Sequence, residues 1–382
     1  MSVTAARGFV AAGVAAGLKP DGQLDVALVV NQGPSYAAAG VLTSNRVRAA
    51  PVDWTRQVLS DGQARAVLLN SAGANACTGP AGLTDAATSA ERVAGGLGVR
   101  GSDVAVCSTG PIGVRLAMPE LLGGVDAAVR QLSPDGGQSA AQAIITTDTH
   151  AKTAVVHDPG YTIGGMAKGA GMLAPGLATM LVVLTTDADI APASLQQYLR
   201  AATQVTFDRI DSDGCMSTND TVLLLASGAA GVRPDAREFT NLLTQVCDDL
   251  ARQLIGDAEG AEHDIAVRVV HAATTEDAVE VGRSIARNNL FKCAIFGHDA
   301  NWARALAAVG TTDAAFDPTH IDLAINGVQL CLDGAPADPG PVDLGPRQVD
   351  VLVDLHAGSA QATVLTNDLT YGYVRENAEY YS

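Results

Sequence analysis

Only 4% of the residues are aromatic, and only 24 of the 382 are lysine or arginine. With so few rings, the core must be built from Ala, Val, Leu and Ile. The basic residues form no run, and 41 acidic residues bring the formal charge to −17. A nucleic-acid duplex or an anionic membrane surface would repel such a chain, so neither is expected as a partner. The charge favours solubility and, more weakly, a cationic substrate. Cys77, Cys107, Cys215, Cys247, Cys293 and Cys331 lie far apart with no C-x-x-C. That spacing is neither a disulfide framework nor a zinc motif, and the thiols read as those of a reduced, cytoplasmic protein. No apolar run approaches the ~20 residues of a membrane span. The Ala/Gly/Val stretch after Arg7 is short, poor in leucine and without a convincing cleavage site before Lys19, so no export signal is expected.

What is present is globular: 47% hydrophobic and 17% charged residues, with 40 scattered glycines that mark tight turns. The length suggests two or three domains. Val- and Leu-rich runs at 24–30, 64–70 and 103–108 end in Gly, Asn or Ser and predict strands. Residues 152–165 predict a hairpin, and 179–185 a strand buried on both faces. Helical periodicity marks 84–98 and 275–289. It is clearest over 235–257, where Leu243, Val246, Leu250 and Leu254 share a face behind the start signal Pro234-Asp235. Further on, Asn326-Gly327 sits between two alternating runs, the strongest short hairpin signal, and two more strands follow. The chain is expected to divide into a strand-rich main domain, 1–234, and a smaller α+β domain, 235–382. No internal repeat is visible.

One stretch, "MAKGAGMLAPGLATMLVVL" (166–184), raises a sharper question. It is no Walker A loop, because Gly169 rather than Ser or Thr follows Lys168. It is no dinucleotide fingerprint either, because a strand-like run follows instead of a helix. From composition it reads as a loop between two buried strands, turned at Pro175-Gly176. That leaves unexplained a lysine set among glycines and an Ala178-Thr179 step just before the buried strand. A threonine hydroxyl needs a base to become a nucleophile. Cutting the bond before Thr179 would free an α-amine of pKa near ~8 on the same residue. One residue would then be both nucleophile and base. The hydroxyl itself can make the cut by attacking the Ala178 carbonyl, giving an ester that water hydrolyses.

Residues 164–188 resemble the self-cleavage segment of the ornithine acetyltransferase family, the glutamate N-acetyltransferases of arginine biosynthesis. The segments "NSAGANACTGPAG" (70–82), "CSTGPIG" (107–113), "AIITTDT" (143–149), "STNDTVLLLASG" (217–228), "DAEG" (257–260), "FGHDANWARALAAVG" (296–310) and "DLTYGYVRENAEYYS" (368–382) resemble family segments in family order. The resemblance covers nearly the whole chain. It implies an α/β (α+β) fold of the N-terminal-nucleophile type, a layered sandwich of sheets flanked by helices. It implies cleavage between Ala178 and Thr179, giving an α-chain of 178 and a β-chain of 204 residues.

The resemblance also assigns residues. Thr109 and Gly110 resemble the oxyanion hole, although unaided the segment reads as a plain Ser-Thr turn. Thr146 and Thr147 resemble substrate-contact threonines, with no way to rank the two. Lys168 resembles the lysine close to substrate and nucleophile, Thr179 itself touching substrate as well. Glu259, read as closing the long helix, resembles the partner of the substrate's cationic amine. Asn377 and Ser382 resemble C-terminal substrate contacts, and a tail holding Tyr371, Tyr373, Tyr380 and Tyr381 is expected to dock. Asn70 and Asn75 are expected to brace loops. His298, Asp299 and Asn301 lack accompanying ligands, so no metal is expected, and no cofactor. Ala300, Ala303 and Ala261-Glu262-His263 depart from the family pattern.

The implied reaction moves an acetyl group from N²-acetylornithine to glutamate through an acetyl-Thr179 ester. The alternatives are a bifunctional enzyme that also uses acetyl-CoA, a paralogue serving another pathway, an N-terminal-nucleophile aminopeptidase or amidohydrolase, and an uncleaved binding protein. The family implies two α and two β chains, or a larger assembly.

Overall fold

The computed structural model describes residues 2–174, 180–338 and 340–379. They fall into two compact units: 2–170 with 180–208 and 216–254, and 171–174 with 209–215 and 255–379.

The first unit holds two sheets. β1 (Phe9–Val14), β2 (Val26–Asn31), β4 (Ala66–Asn70) and β5 (Val104–Ser108) form one in the order β1-β2-β4-β5. β3 (Ala37–Leu42), β6 (Lys152–His157), β7 (Thr162–Lys168), β8 (Leu181–Thr186) and β9 (Thr221–Ala226) form the other in the order β3-β9-β8-β7-β6. The run after Arg7 is thus a strand, β1, paired with β2 from Phe9↔Asn31 to Val14↔Val26.

Side-chain alternation explains the layering. In β2, Ala27 and Val29 point into a core shared with Met166, Leu181, Val183, Leu223 and Leu225 of the other sheet. Val26, Leu28 and Val30 point the opposite way, onto Ala90, Val93, Leu121 and Val125. Those four belong to α2 (Gly79–Leu97) and α3 (Met118–Arg130). On the outer face of the second sheet, Gly165 leaves room for Val246 and Leu250 of α6 (Ala236–Gly256). Gln196 of α5 (Pro192–Val205) exchanges two 3.1 Å hydrogen bonds with the Gly40 backbone of β3. The unit is a helix–sheet–sheet–helix sandwich, an α/β fold. Leu243, Val246, Leu250 and Leu254 are all buried, and the Asp235 carboxylate caps the helix by accepting the Arg237 and Glu238 N–H groups. The boundary expected near 235 falls at the start of this helix. The two units divide inside its last turn, because its apolar face packs on the first unit's sheet.

The second unit is a six-stranded sheet. Its strands are β10 (Asp264–Ala272), β11 (Asp322–Ile325), β12 (Val328–Leu332), β13 (Ala335–Pro336), β14 (Gln348–Asp354) and β15 (Ala360–Asn367), in the order β13-β12-β11-β14-β10-β15. Ile265, Val267 and Val269 of β10 alternate onto a core with Val281, Ile285, Phe291 and Ala305. These come from α7 (Thr275–Ala286), α8 (Asn289–Phe296) and α9 (Trp302–Val309). Asn326 and Gly327 make the expected hairpin turn, both at positive φ (49° and 77°).

Candidate functional site

Thr109 and Gly110 follow β5 at a corner held from several directions. The Thr109 N–H donates to the Asn70 carbonyl at 3.0 Å, and the Thr109 carbonyl accepts the Gly73 N–H at 2.9 Å. Ser108 Oγ donates to Asn70 Oδ1 at 2.6 Å. Asn219 Nδ2 donates to the carbonyls of Ala74 and Ser108, at 2.6 and 2.8 Å, tying both loops together. Gly110 has φ +130°, and a Cβ there would lie 2.5 Å from the Gly73 nitrogen. Only glycine fits that turn and that approach. Asn75 braces the next turn, donating to the Gly82 carbonyl at 2.8 Å.

Lys168 is not in a loop. It is the last residue of β7, opposite Leu181 of β8, and its side chain is 2% exposed. Its ammonium donates to Thr146 Oγ1 at 2.7 Å and to Thr109 Oγ1 at 3.3 Å. Behind it stands Asp148, whose carboxylate takes the Lys152 ammonium at 2.7 Å, the Gly169 N–H at 2.6 Å and the Thr146 N–H at 3.0 Å. Lys168 Nζ lies 3.8 Å from the second oxygen. Burial alone would push this carboxyl up. Lys168, Lys152 and the Gly169 N–H outweigh it and hold the pKa at about 2. Lys19, half-buried and held on the Ile145 carbonyl at 2.7 Å, adds a third cation nearby, its own pKa lowered mainly by burial. The buried Lys168 ammonium, held on Thr109 and Thr146, is suited to stabilise an anion or a developing oxyanion beside it. Thr146 touches the lysine, whereas Thr147 is exposed.

Ala178 and Thr179 lie outside the described residues, but the chain just after them is visible. The Met180 N–H donates to Asp220 Oδ1 at 3.1 Å. Asp220 is fully buried, and burial pushes its pKa well above the carboxylate range despite Met180, Ser217 and Lys168. Its Oδ2 has no hydrogen-bond partner among the described residues.

In the second unit Glu259 does not close the long helix. The helix stops at Gly256, and Glu259 lies in the following turn, which Gly260 (φ +62°) completes. The Ala258 N–H bonds back to the Ile255 carbonyl, so the chain has already left helical geometry before Glu259. A Cβ on Gly171 would sit 2.5 Å from the Glu259 carboxylate, so that glycine makes room for it. Asn377 Nδ2 donates to Glu259 Oε2 at 3.0 Å from α10 (Tyr371–Glu379). Thr370 Oγ1 fastens the start of that helix to the Gly260 carbonyl at 2.6 Å. Tyr371 meets Phe296 edge-on at 5.3 Å but is mostly exposed. Ser382, Tyr380 and Tyr381 lie outside the described residues. A cavity of about 360 Å³ is lined by Glu259, Tyr373, Lys292, Asp213 and Asp368 among others. Lys292 is buried, donates to the Ser212 carbonyl and to Thr366 Oγ1, and has its pKa lowered by burial to about 8.

A family model described as the ArgJ family matches residues 10–382. The chain belongs to the ArgJ family. The arginine biosynthesis bifunctional protein ArgJ of Thermobifida fusca is 63% identical over 381 residues, and that of Streptomyces coelicolor 62% over 383, each alignment covering 100% of both chains. Among solved structures, the ornithine acetyltransferase of Mycobacterium tuberculosis, complexed with ornithine, is 55% identical. That match covers 47% of this chain and 96% of the other, with a TM-score of 0.45.

In this ArgJ-family chain the departure at His263 is absorbed structurally. Its ring bonds to Asp368 Oδ2 at 2.7 Å and to the Leu344 carbonyl at 3.0 Å. Sequence reasoning missed Asp148, Lys152, Asp220, Asn219 and Lys19. Asp148 stands beside the threonines of "TTDT" and was legible there, with Lys152 four residues on; Asp220, Asn219 and Lys19 become neighbours only through tertiary packing. It also missed the one group among the described residues whose spacing suits a metal ion: Asp322, Asp354 and His356. No helix among the described residues is long and apolar enough to cross a membrane.

Proposed function

We propose that the protein is a self-cleaving acetyl transferase of arginine biosynthesis that moves the acetyl group of N²-acetylornithine to glutamate. The reading rests on membership of the ArgJ family. The single observation that best supports it is the buried Lys168, held on Thr109 and Thr146 at the end of β7. Thr179 is joined to Met180, whose N–H the buried Asp220 fixes. In this reading Thr179 Oγ first attacks the Ala178 carbonyl, and hydrolysis of the resulting ester frees the Thr179 amine. The hydroxyl then attacks the acetyl carbonyl, and the amine takes its proton and passes it to the departing ornithine nitrogen. Glutamate's amine next attacks the acetyl-Thr179 ester and regenerates the enzyme. Thr109 Oγ1 and the Gly110 N–H receive the oxyanion in both halves, each donor worth about 3–4 kcal/mol. Thr146, Thr147, Asn377 and Ser382 hold the substrate. The acetyl-CoA-using bifunctional form is the second reading, favoured by the relatives' printed names. Two α and two β chains in the cytosol complete the proposal.

The test is turnover by purified mature protein. With acetylornithine alone, one ornithine per active site is expected, followed by arrest; adding glutamate restarts steady release. Continued ornithine release without glutamate would mean that water is the acceptor and would overturn the transferase reading. Acetyl-CoA in place of acetylornithine tests the bifunctional form.

A charge-specific consequence concerns Glu259, assigned to the ammonium of the ornithine side chain. Glu259→Gln keeps the acceptor for Asn377 but removes the charge. Losing a charge-assisted hydrogen bond costs about 1.5–3 kcal/mol, or roughly 10–150-fold. The KM for acetylornithine is expected to rise by that factor with kcat nearly preserved. A fall confined to kcat would place Glu259 elsewhere in the reaction.

A further inference from the structure

The second unit gathers three of the chain's seven histidines with three aspartates at one end of its sheet. β10 and β14 run parallel and β11 runs antiparallel to β14, so the ends of the first two meet the start of the third. His271 lies near the end of β10, Asp354 ends β14, His356 follows it, Asp322 opens β11, and His320 and Asp333 flank that strand. Asp322 and Asp354 are direct cross-strand partners. Like charges placed so are unfavourable unless something cationic lies between them.

The donor atoms are arranged rather than scattered. Each carboxylate has one oxygen fixed by a backbone N–H: Asp322 Oδ1 by Asp333 at 2.8 Å, and Asp354 Oδ1 by His356 at 3.0 Å. Each turns its other oxygen to an imidazole: Asp322 Oδ2 to His356 Nε2 at 2.9 Å, and Asp354 Oδ2 to His271 Nδ1 at 2.7 Å. The His356 ring has two imidazole neighbours, His320 with centroids 4.3 Å apart and His271 at 6.4 Å with planes 23° apart. His271, Asp333 and His356 all hold positive φ (49°, 47° and 47°). The ligand atoms of Asp322, Asp354 and His356 lie within 4.8 Å of one another. Donors about 2.0–2.2 Å from one cation lie no more than about 4.4 Å apart, close to the spacing already present.

We infer that Asp322, Asp354 and His356 form a binding site for a borderline divalent transition metal of the zinc type, with His271 and His320 orienting the ligands. Mixed imidazole and carboxylate donors select that class over calcium or magnesium, which prefer oxygen alone, and over soft cations that need thiolate. Cys331, the cysteine near Asp322, points into the core and is buried. The three ligands are only partly buried, with side-chain exposures of 19%, 18% and 28%, so an ion can reach them. The site shares no residue with the acetyl-transfer set. Its effect would be to pin the ends of three strands.

The probe is cobalt(II) titrated into the untagged, full-length mature protein, followed by visible absorption, with zinc measured by calorimetry. One equivalent is expected, with d–d bands and no thiolate charge-transfer band. His356→Asn tolerates the left-handed backbone, and Asp322→Asn keeps the acceptor for the Asp333 N–H. Each is expected to weaken binding about tenfold or more while acetyl transfer is retained. Absence of saturable binding, undiminished binding in both variants, or a thiolate band accounting for the bound ion would each overturn the inference. In the last two cases the carboxylates and imidazoles merely pair with one another at the surface.

Discussion

Thr179→Ala protein should run as one band of 382 residues on a denaturing gel, where the wild type is expected to give chains of 178 and 204. The substitution removes the only atom proposed to attack the Ala178 carbonyl. It also removes the acetyl acceptor, so transfer should fall by about 10⁴-fold or more, the scale on which a covalent nucleophile matters. Thr179→Ser keeps the hydroxyl and should still cut, more slowly or faster but at the same bond. N-terminal sequencing of the wild type should find a chain beginning Thr-Met-Leu. An alanine variant that still yields two chains would assign the cut to another agent and end the proposal that this residue serves as its own base.

Lys168→Met should cost about 10²–10³ in kcat, the scale of removing one preorganised donor from a buried site. Methionine preserves the stem's volume, so the lost feature is the ammonium that bonds Thr109 and Thr146. The fold should survive, because Asp148 keeps Lys152 at 2.7 Å. A second readout separates this from general damage. Asp148 has its folded pKa depressed to about 2, Lys168 being the largest of the lowering influences. A depressed carboxylate stabilises the fold fully above its unfolded pKa of about 3.9, and that stability is lost as pH falls through about 2. Without Lys168 the folded pKa rises toward the unfolded one. The variant should therefore lose less stability over that interval and be less stable than wild type at neutral pH. Equal activity in the variant would remove Lys168 from the reaction.

Local signals were enough where a residue's partners lie nearby in the chain. The Asn326-Gly327 turn, the 3.6-residue stripe of the 236–256 helix and the wholly buried β8 could all be read, because turn chemistry and periodicity act over a few residues. The "CSTGPIG" corner was visible too, since Gly110 is required by its own backbone angle. Asp220 gave no signal, because what makes it unusual is the complete burial that β8 and β9 impose by pairing in parallel. The placement of Lys168 was misjudged for the same reason. Its glycine-rich stretch suggested a loop, whereas β7 runs on through it, paired with β8. Glu259 was put on a helix that ends three residues earlier, since helix boundaries depend on tertiary packing as much as on propensity.

By itself the order of residues determined the class of fold, the strand and helix inventory of the core, the family and the bond at which the chain is proposed to cut itself. These depend on composition, periodicity and short motifs, which are written along the chain. Only tertiary structure decided that Lys168 bridges two threonines over a buried Asp148, that burial raises the pKa of the Asp220 carboxyl, and that three histidines and three aspartates from distant segments share one sheet end. Desolvation and Coulomb energies depend on distance in space, and strand pairing sets those distances between residues tens to hundreds of positions apart.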